Sequence, residues 1–491
     1  MTDRTEINQS KLLRASGWAV ASRWAVRLLG LVSTVVLARL LTPADFGVVG
    51  MAMIVVGFSE SLLEFGVRSI LIHRSNLSRQ DYDTAWTFNL IQNGLGAAII
   101  VAGAFPAATY FHDSRLEPVL FVLAAGVLFG GLSNIGVVDY QRDLDMGRDF
   151  VLFIVRKLTS VVLSISIAIV YQSYWAMVYA YVGSRIAEVV ISYIMHSYRP
   201  RLSLAMWSEF LGFSSWLTIR QIGTFAQGRL DRLLVGGRNT TSAMGQYTVA
   251  SELSEMLISE LLAPLARALL PAFAALQKDT QRLNRAAEKS IGGVAALAMP
   301  ASVGLSLVAG DVVPIVFGTQ WGPAVPLLEI LALAMLIKAL IHPVATLLTA
   351  IGSMAVTAWG MWVQVAVFFA VWALFFTSQG LRGIAEARLV AAVFYAGTIF
   401  WYAHTLNVFR GRQLVLAFMR PAASTAVMAL VLLAIRGYFT APALTALFAQ
   451  VVVGGIVYAL TLLGTWSLMG RPAGLEEIVV SFVARRIGAG S

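Results

Sequence analysis

The chain has 491 residues, 58% of them apolar and 13% charged, with a mean hydropathy of +0.76. A soluble domain carries about 25% charged residues, so one large soluble protein and a disordered chain are both excluded. The net charge of +10 first raises the question of which membrane side the basic residues face, and with no cysteine there is no disulfide, thiolate nucleophile or Cys-ligated metal.

Apolar stretches of about 20 residues can each cross a ~30 Å hydrocarbon core. In chain order they predict fourteen helical spans, near 15–38, 46–72, 85–110, 117–138, 150–171, 174–196, 210–235, 245–272, 290–317, 324–350, 355–377, 382–407, 415–436 and 443–468. The runs lack period-2 alternation, which excludes a transmembrane β-barrel. The expected fold class is all-α integral membrane. Met1–Arg14 is not expected to be a cleaved signal, because the apolar stretch after it is too long and carries Arg23 and Arg27. The connections are short, and the longest, at Tyr198–Glu209 and Gln277–Lys289, leave no room for a soluble domain.

With the N-terminus in the cytoplasm, the inner segments collect roughly 18 basic residues against roughly five in the outer loops. The inner set includes Arg74, Arg79, Arg142, Arg148, Arg282, Arg285 and the tail residues Arg471, Arg485 and Arg486. Both termini are therefore expected inside.

Residues Arg39-Leu40-Leu41 recur as Arg232-Leu233-Leu234. At the same offset of about 193, Ser22 falls on Ser215 and Arg27 on Arg220. Ser59-Glu60 has counterparts in Ser251-Glu252 and Ser254-Glu255. This predicts a parallel repeat of six spans, a transporter architecture with its site between two lobes at mid-membrane depth. The lobes would be residues 1–197 and 198–409, followed by 410–491 with two extra spans and a basic tail.

An ionisable group at the bilayer centre costs at least about 2.5–3.5 kcal/mol, so it is paired, snorkelling or facing water. Arg23 and Arg27, four apart, share one helix face, and Arg220 and Lys338 lie near the middles of their spans. The functional reading is a hydrated cavity with these four cations on its walls. Guanidinium groups suit phosphate through bidentate hydrogen bonds, so an anionic, phosphate-bearing substrate is the natural ligand. Glu60, Glu64 and Glu255 would balance the cations or carry a coupling ion. The structural reading is that Glu60 and Glu64 neutralise Arg23 and Arg27, and for Arg23 both readings stand. Arg185 and Glu188 read as a structural or gating pair, and Arg156-Lys157 as snorkelling residues. Gly126 and Gly130 form a GxxxG that suggests close helix packing. Pro264, Pro271, Pro300, Pro314 and Pro343 read as bends.

There is no GxxxxGK[ST] and no HExxH, and the five histidines are scattered. No metal, cofactor, nucleic-acid partner or enzymatic activity is expected.

Several segments resemble those of polysaccharide flippases. Leu40-Leu41-Thr42-Pro43-Ala44-Asp45-Phe46-Gly47 is similar to an LLxPxDFG turn, Gly66 to Arg74 to a GxxxALIQR segment, and Gln141-Arg142-Asp143-Leu144-Asp145-Met146 to a QRDLxF stretch. Ala243-Met244-Gly245-Gln246-Tyr247, Pro271 to Gln277 and Phe317 to Leu328 resemble the family's xxLGxY, PAFSxLQ and fGxxWxPAvplL. In order along the chain, they identify it as a Wzx-type member of the polysaccharide transporter branch of the MOP exporters. The resemblance implies two six-helix lobes plus two C-terminal helices. It implies alternating access that carries an undecaprenyl-diphosphate-linked oligosaccharide across the bacterial inner membrane, driven by an ion gradient or membrane potential. The expected partners are that glycan, membrane lipids, and the polymerase and chain-length proteins of the pathway, with the protein itself a monomer. In the lipid II flippase, cavity arginines on the first span are implicated, and Arg23 and Arg27 occupy the comparable span. Two alternatives are a MATE-type exporter, against which the arginines and missing acid of the first span count, and a membrane polymerase or ligase, which needs a large periplasmic loop. A scaffold without transport leaves the intramembrane charges unexplained.

Overall fold

A computed structural model describes residues 9–63, 66–74, 77–207, 214–406, 408, 411–435, 437 and 443–469. Among these residues the chain is helical, with no strand. The first half contains α1 (Gln9–Leu40), α2 (Pro43–Leu62), α3 (Val67–His73), α4 (Arg79–Tyr110), α5 (Leu116–Gly131), α6 (Val138–Arg142), α7 (Met146–Tyr171), α8 (Trp175–Met195) and α9 (Ser214–Arg238). The second contains α10 (Thr241–Leu276), α11 (Thr280–Val316), α12 (Val325–Ala350), α13 (Met354–Val371), α14 (Gly380–Thr405), α15 (Gly411–Ile435) and α16 (Ala443–Leu468).

This is a multi-pass membrane protein. Among the described residues nine helical stretches are long and apolar enough to cross a bilayer, or eleven when two bent pairs each count as one span. One of the nine, Met354–Thr405, is two helices, α13 and α14, parted where Gly380 takes a φ of 57°. Helices α1 and α9 are less apolar because arginines interrupt them, Arg23 and Arg27 in one and Arg229 and Arg232 in the other. With these included, the helices are consistent with the fourteen spans that the sequence predicts.

Local chemistry sets the helix ends. Thr42 and Asp45 form a capping box at the start of α2, and Ser78 and Asp81 form one at α4. The pair Leu116–Gly131 and Ile135–Arg142 is bent by 66°. Buried Asn134 holds that bend: its backbone N–H donates to Ser192 Oγ (3.0 Å) and its Nδ2 to the Tyr198 carbonyl (2.8 Å). Helix α10 bends by 46° at Pro264, a residue type with no backbone N–H to give to the helix ladder.

Packing divides the chain into two units, Met1–Gly245 and Gln246–Ser491. Helix α9 packs along α2, so it belongs with the first. Within the first unit α4 packs on α5, α7 on α8 and α5 on α8. Within the second, α11 packs on α12, α13 on α14 and α12 on α14. These are the same pairings among predicted spans three to six and nine to twelve, so the repeat seen in a few residues is present in the packing. Helices α15 and α16 add to it by packing on each other and on α11.

Candidate functional site

The polar interior of the first unit is built on two glycines of α5. A Cβ at Gly126 would lie 2.9 Å from the Tyr181 ring, and one at Gly130 3.6 Å from Arg185. The GxxxG therefore does serve close packing, and what it admits is a tyrosine and an arginine of α8. The Arg185 guanidinium stacks over the Tyr181 ring, 5.3 Å from its centroid.

Arg185 is the centre of a charge network. Its Nη2 donates to Glu60 Oε1 of α2 at 2.9 Å and to the Tyr181 hydroxyl at 3.2 Å. Its Nη1 reaches Glu188 Oε2 at 3.5 Å, and Arg156 of α7 meets the same oxygen at 3.2 Å. Four charged side chains from three helices thus share one site. They line a cleft of about 360 Å³ with Arg68, Ser59 and the amides of α4. Asn89 Nδ2 donates to the Gly131 carbonyl (3.1 Å) and Asn93 Nδ2 to the Asn89 carbonyl (2.8 Å), so the amides themselves are fixed. The cleft can hold a polar, hydrogen-bonding ligand; an apolar one would strand these groups.

Below it, the QRDL stretch is a structural knot. Gln141 Nε2 donates to Asp149 (3.2 Å), Arg142 Nη2 to the Arg74 carbonyl (3.0 Å), and Arg142 pairs with Asp139 at 3.5 Å. Tyr82 donates to the same Asp139 carboxylate, and Arg74 pairs with the capping Asp81. At the other end, Asp45 accepts from the Tyr174 N–H (3.2 Å). Gly47 faces α10 so closely that a Cβ would lie 1.8 Å from the Thr241 carbonyl oxygen. A Cβ at Gly245 would lie as close, 1.8 Å, to the Pro43 carbonyl. Two resemblance motifs thus meet backbone to backbone.

In the loop after α4, Asp113 accepts from Arg115 (2.7 Å) and from the Thr241 hydroxyl (2.8 Å). Burial would raise its carboxyl pKa, but these hydrogen bonds outweigh burial and hold it below the usual range. In the segment after α8, burial and a hydrogen bond to the Asp83 carboxylate push the Tyr198 hydroxyl well up.

The sequence-predicted residues do not all converge. Glu60 finds its cation on α8, and not in Arg23 or Arg27, because α1 packs chiefly along α7 while α2 packs on α4, α5 and α9. Arg23 and Arg27 are half-buried on α1. Glu64 lies outside the described residues. Arg220 is in α9, with its side chain outside the description, and Lys338 is exposed on α12. Glu255 of α10 pairs with Arg388 of α14 at 3.0 Å. Arg156, expected as a snorkelling residue, pairs with Glu188 at 3.2 Å. Sequence reasoning missed Arg388 altogether; the available signal was an arginine well inside a span.

The family of polysaccharide biosynthesis proteins matches residues 36–326, more than half of the chain. The chain belongs to that family. It is 25% identical over 353 residues to the lipopolysaccharide biosynthesis protein WzxC of Escherichia coli, covering 70% of each. It is 24% identical to the succinoglycan biosynthesis transport protein ExoT of Rhizobium meliloti, covering 94% of each. Among solved structures, the fold is similar to the lipid II flippase MurJ in an inward closed conformation (TM-score 0.73, 12% identity, 92% of this chain and 99% of that one). It is also similar to an inward-facing MATE multidrug transporter of the MOP superfamily (TM-score 0.63, 17% identity, 78% and 94%). The fold that the motifs imply is the fold shared with these two structures.

Proposed function

We propose that this protein flips an undecaprenyl-diphosphate-linked oligosaccharide, an O-antigen, capsule or exopolysaccharide repeat unit, from the cytoplasmic to the periplasmic leaflet of the bacterial inner membrane. Its family membership carries this reading, supported by full-length similarity to a succinoglycan transport protein. The division of labour is by six-span lobes, 1–197 and 198–409, with 410–491 as an addition and both termini cytoplasmic. Alternating access exposes the load to one leaflet and then the other.

A diphosphate cannot enter hydrocarbon uncompensated, and fixed cations along the route supply the compensation. Arg23, Arg27, Arg220 and Lys338 have that role. Glu60, Glu64 and Glu255 temper the positive field so that the load is released, or carry the coupling ion. The polymerase and chain-length proteins of the pathway act on what this protein delivers, and the monomer is the working unit. A MATE-type drug exporter is the weaker reading, because α1 carries arginines and no acid.

Complementation tests the reading. In a strain lacking its own glycan flippase, the wild-type chain restores surface glycan, while Arg27→Ala and Arg220→Ala at matched expression accumulate the lipid-linked intermediate. Failure of the wild type across several glycan pathways refutes the substrate class; full activity of both variants refutes the assigned cations.

A further inference from the structure

Glu60–Arg185 joins the second and sixth predicted spans at 2.9 Å, and Glu255–Arg388 joins the eighth and twelfth, their counterparts six spans on, at 3.0 Å. The helices correspond although the sequence offsets are not identical. In both pairs the arginine side chain is the buried partner, 17% and 10% exposed, and the carboxylate is the open one, 45% and 36%. An intramembrane ion pair contributes little net stability over well-packed apolar side chains. Its presence on matching helices of both units therefore points to use.

We propose that the two pairs are one anion-exchange clasp present in each repeat: the carboxylate holds the buried guanidinium until an oxyanion of the lipid-linked glycan takes its place. This rests on the flippase reading for the identity of the load. The first unit shows how the exchange works. Arg185 is anchored without Glu60, by the Tyr181 ring beneath it and the bay at Gly130. Its long contact to Glu188 (3.5 Å) and its Nε, which has no hydrogen-bond acceptor among the described residues, leave donor capacity unspent. The adjoining cleft has room for a phosphate or a sugar carboxylate, both of which match the guanidinium fork. Glu60 is the only one of these elements that must move, and it is the most exposed.

The purified full chain in nanodiscs is titrated calorimetrically with inorganic pyrophosphate and, separately, with glucuronate. Removing the competing charge in Glu60→Gln or Glu255→Gln tightens binding of one of the two anions by about tenfold. Arg185→Gln and Arg388→Gln lose that binding. The double variant Glu60→Gln, Arg185→Gln leaves neither charge of the pair behind; it keeps the wild-type thermal midpoint within a few degrees and loses the first-unit binding. Tightening for pyrophosphate assigns the oxyanion to the lipid diphosphate, and tightening for glucuronate assigns it to an acidic sugar. Unchanged or weaker binding of both anions in the glutamine variants overturns the clasp and leaves two structural ties. A chain that shows the tightening yet restores no surface glycan refutes the flippase reading alone, and the reverse result refutes the clasp alone.

Discussion

Glu188 is shared by two guanidiniums, so Glu188→Gln is the most informative single change in the first unit. Its side chain is 16% exposed and meets Arg156 at 3.2 Å and Arg185 at 3.5 Å. Removing one partner of a buried pair costs about 3–5 kcal/mol. Two facts reduce that here: Arg185 keeps Glu60 at 2.9 Å, and Arg156 is 36% exposed. The expected cost is about 2–3 kcal/mol. For a unit the size of Met1–Gly245, each kcal/mol moves the thermal midpoint by about 2–4 °C, so the drop is about 4–12 °C. Tryptophan fluorescence in detergent reads it. The comparison is Arg148→Gln, which breaks a pair with Asp145 whose partners are 65% and 44% exposed and is expected to cost under about 1 kcal/mol. Arg156→Gln combined with Glu188→Gln costs less than the sum of the two, because neither charge is left behind. Equal shifts for Glu188→Gln and Arg148→Gln, or strict additivity, would refute the network as an energetic unit.

Helix propensity alone would make Gly47→Ala stabilising by about 1 kcal/mol, but its new Cβ meets the Thr241 backbone oxygen at 1.8 Å. It is expected to destabilise by about 3 kcal/mol or more, whereas Gly17→Ala, with nothing within 4 Å among the described residues, raises the midpoint slightly; both are read in the same thermal assay. Gly126→Ala pushes Tyr181 off its seat beside Arg185 and costs about 1–3 kcal/mol, with a matching change in the near-UV signal of the tyrosine. Asp113, whose folded pKa lies below the usual 3.8, contributes stability above that value and loses it as pH falls through the folded value. The midpoint gap between wild type and Asp113→Asn is therefore wide at neutral pH and closes in acid; a gap constant down to pH values well below 3.8 contradicts the assignment.

Much of the fold was legible because length and hydropathy are local signals. The capping boxes at Thr42 and Ser78 and the bend at Pro264 are written in adjacent residues. The site was legible only as a set of charges. Sequence spacing shows partners on one helix, such as Arg185 and Glu188, but Glu60 could be matched to Arg185 only by knowing that α1 lies along α7. Arg388 lies inside the predicted span 382–407, but its partner Glu255 is on another helix, 133 residues away, which sequence spacing does not show. The glycines illustrate the same divide: Gly126 and Gly130 announce closeness through their spacing, whereas nothing near Gly47 in sequence announces Gly245.

The proposed function is movement of a lipid-linked glycan across a bilayer. It is tested most directly by reconstituting the chain in proteoliposomes loaded with an undecaprenyl-diphosphate-linked oligosaccharide and following how fast the inner-leaflet glycan becomes accessible to an impermeant lectin. Exposure well above the protein-free rate is expected, slowed by Arg27→Ala and by Arg220→Ala. Exposure at the protein-free rate, with imposed proton and sodium gradients in either direction, would contradict it.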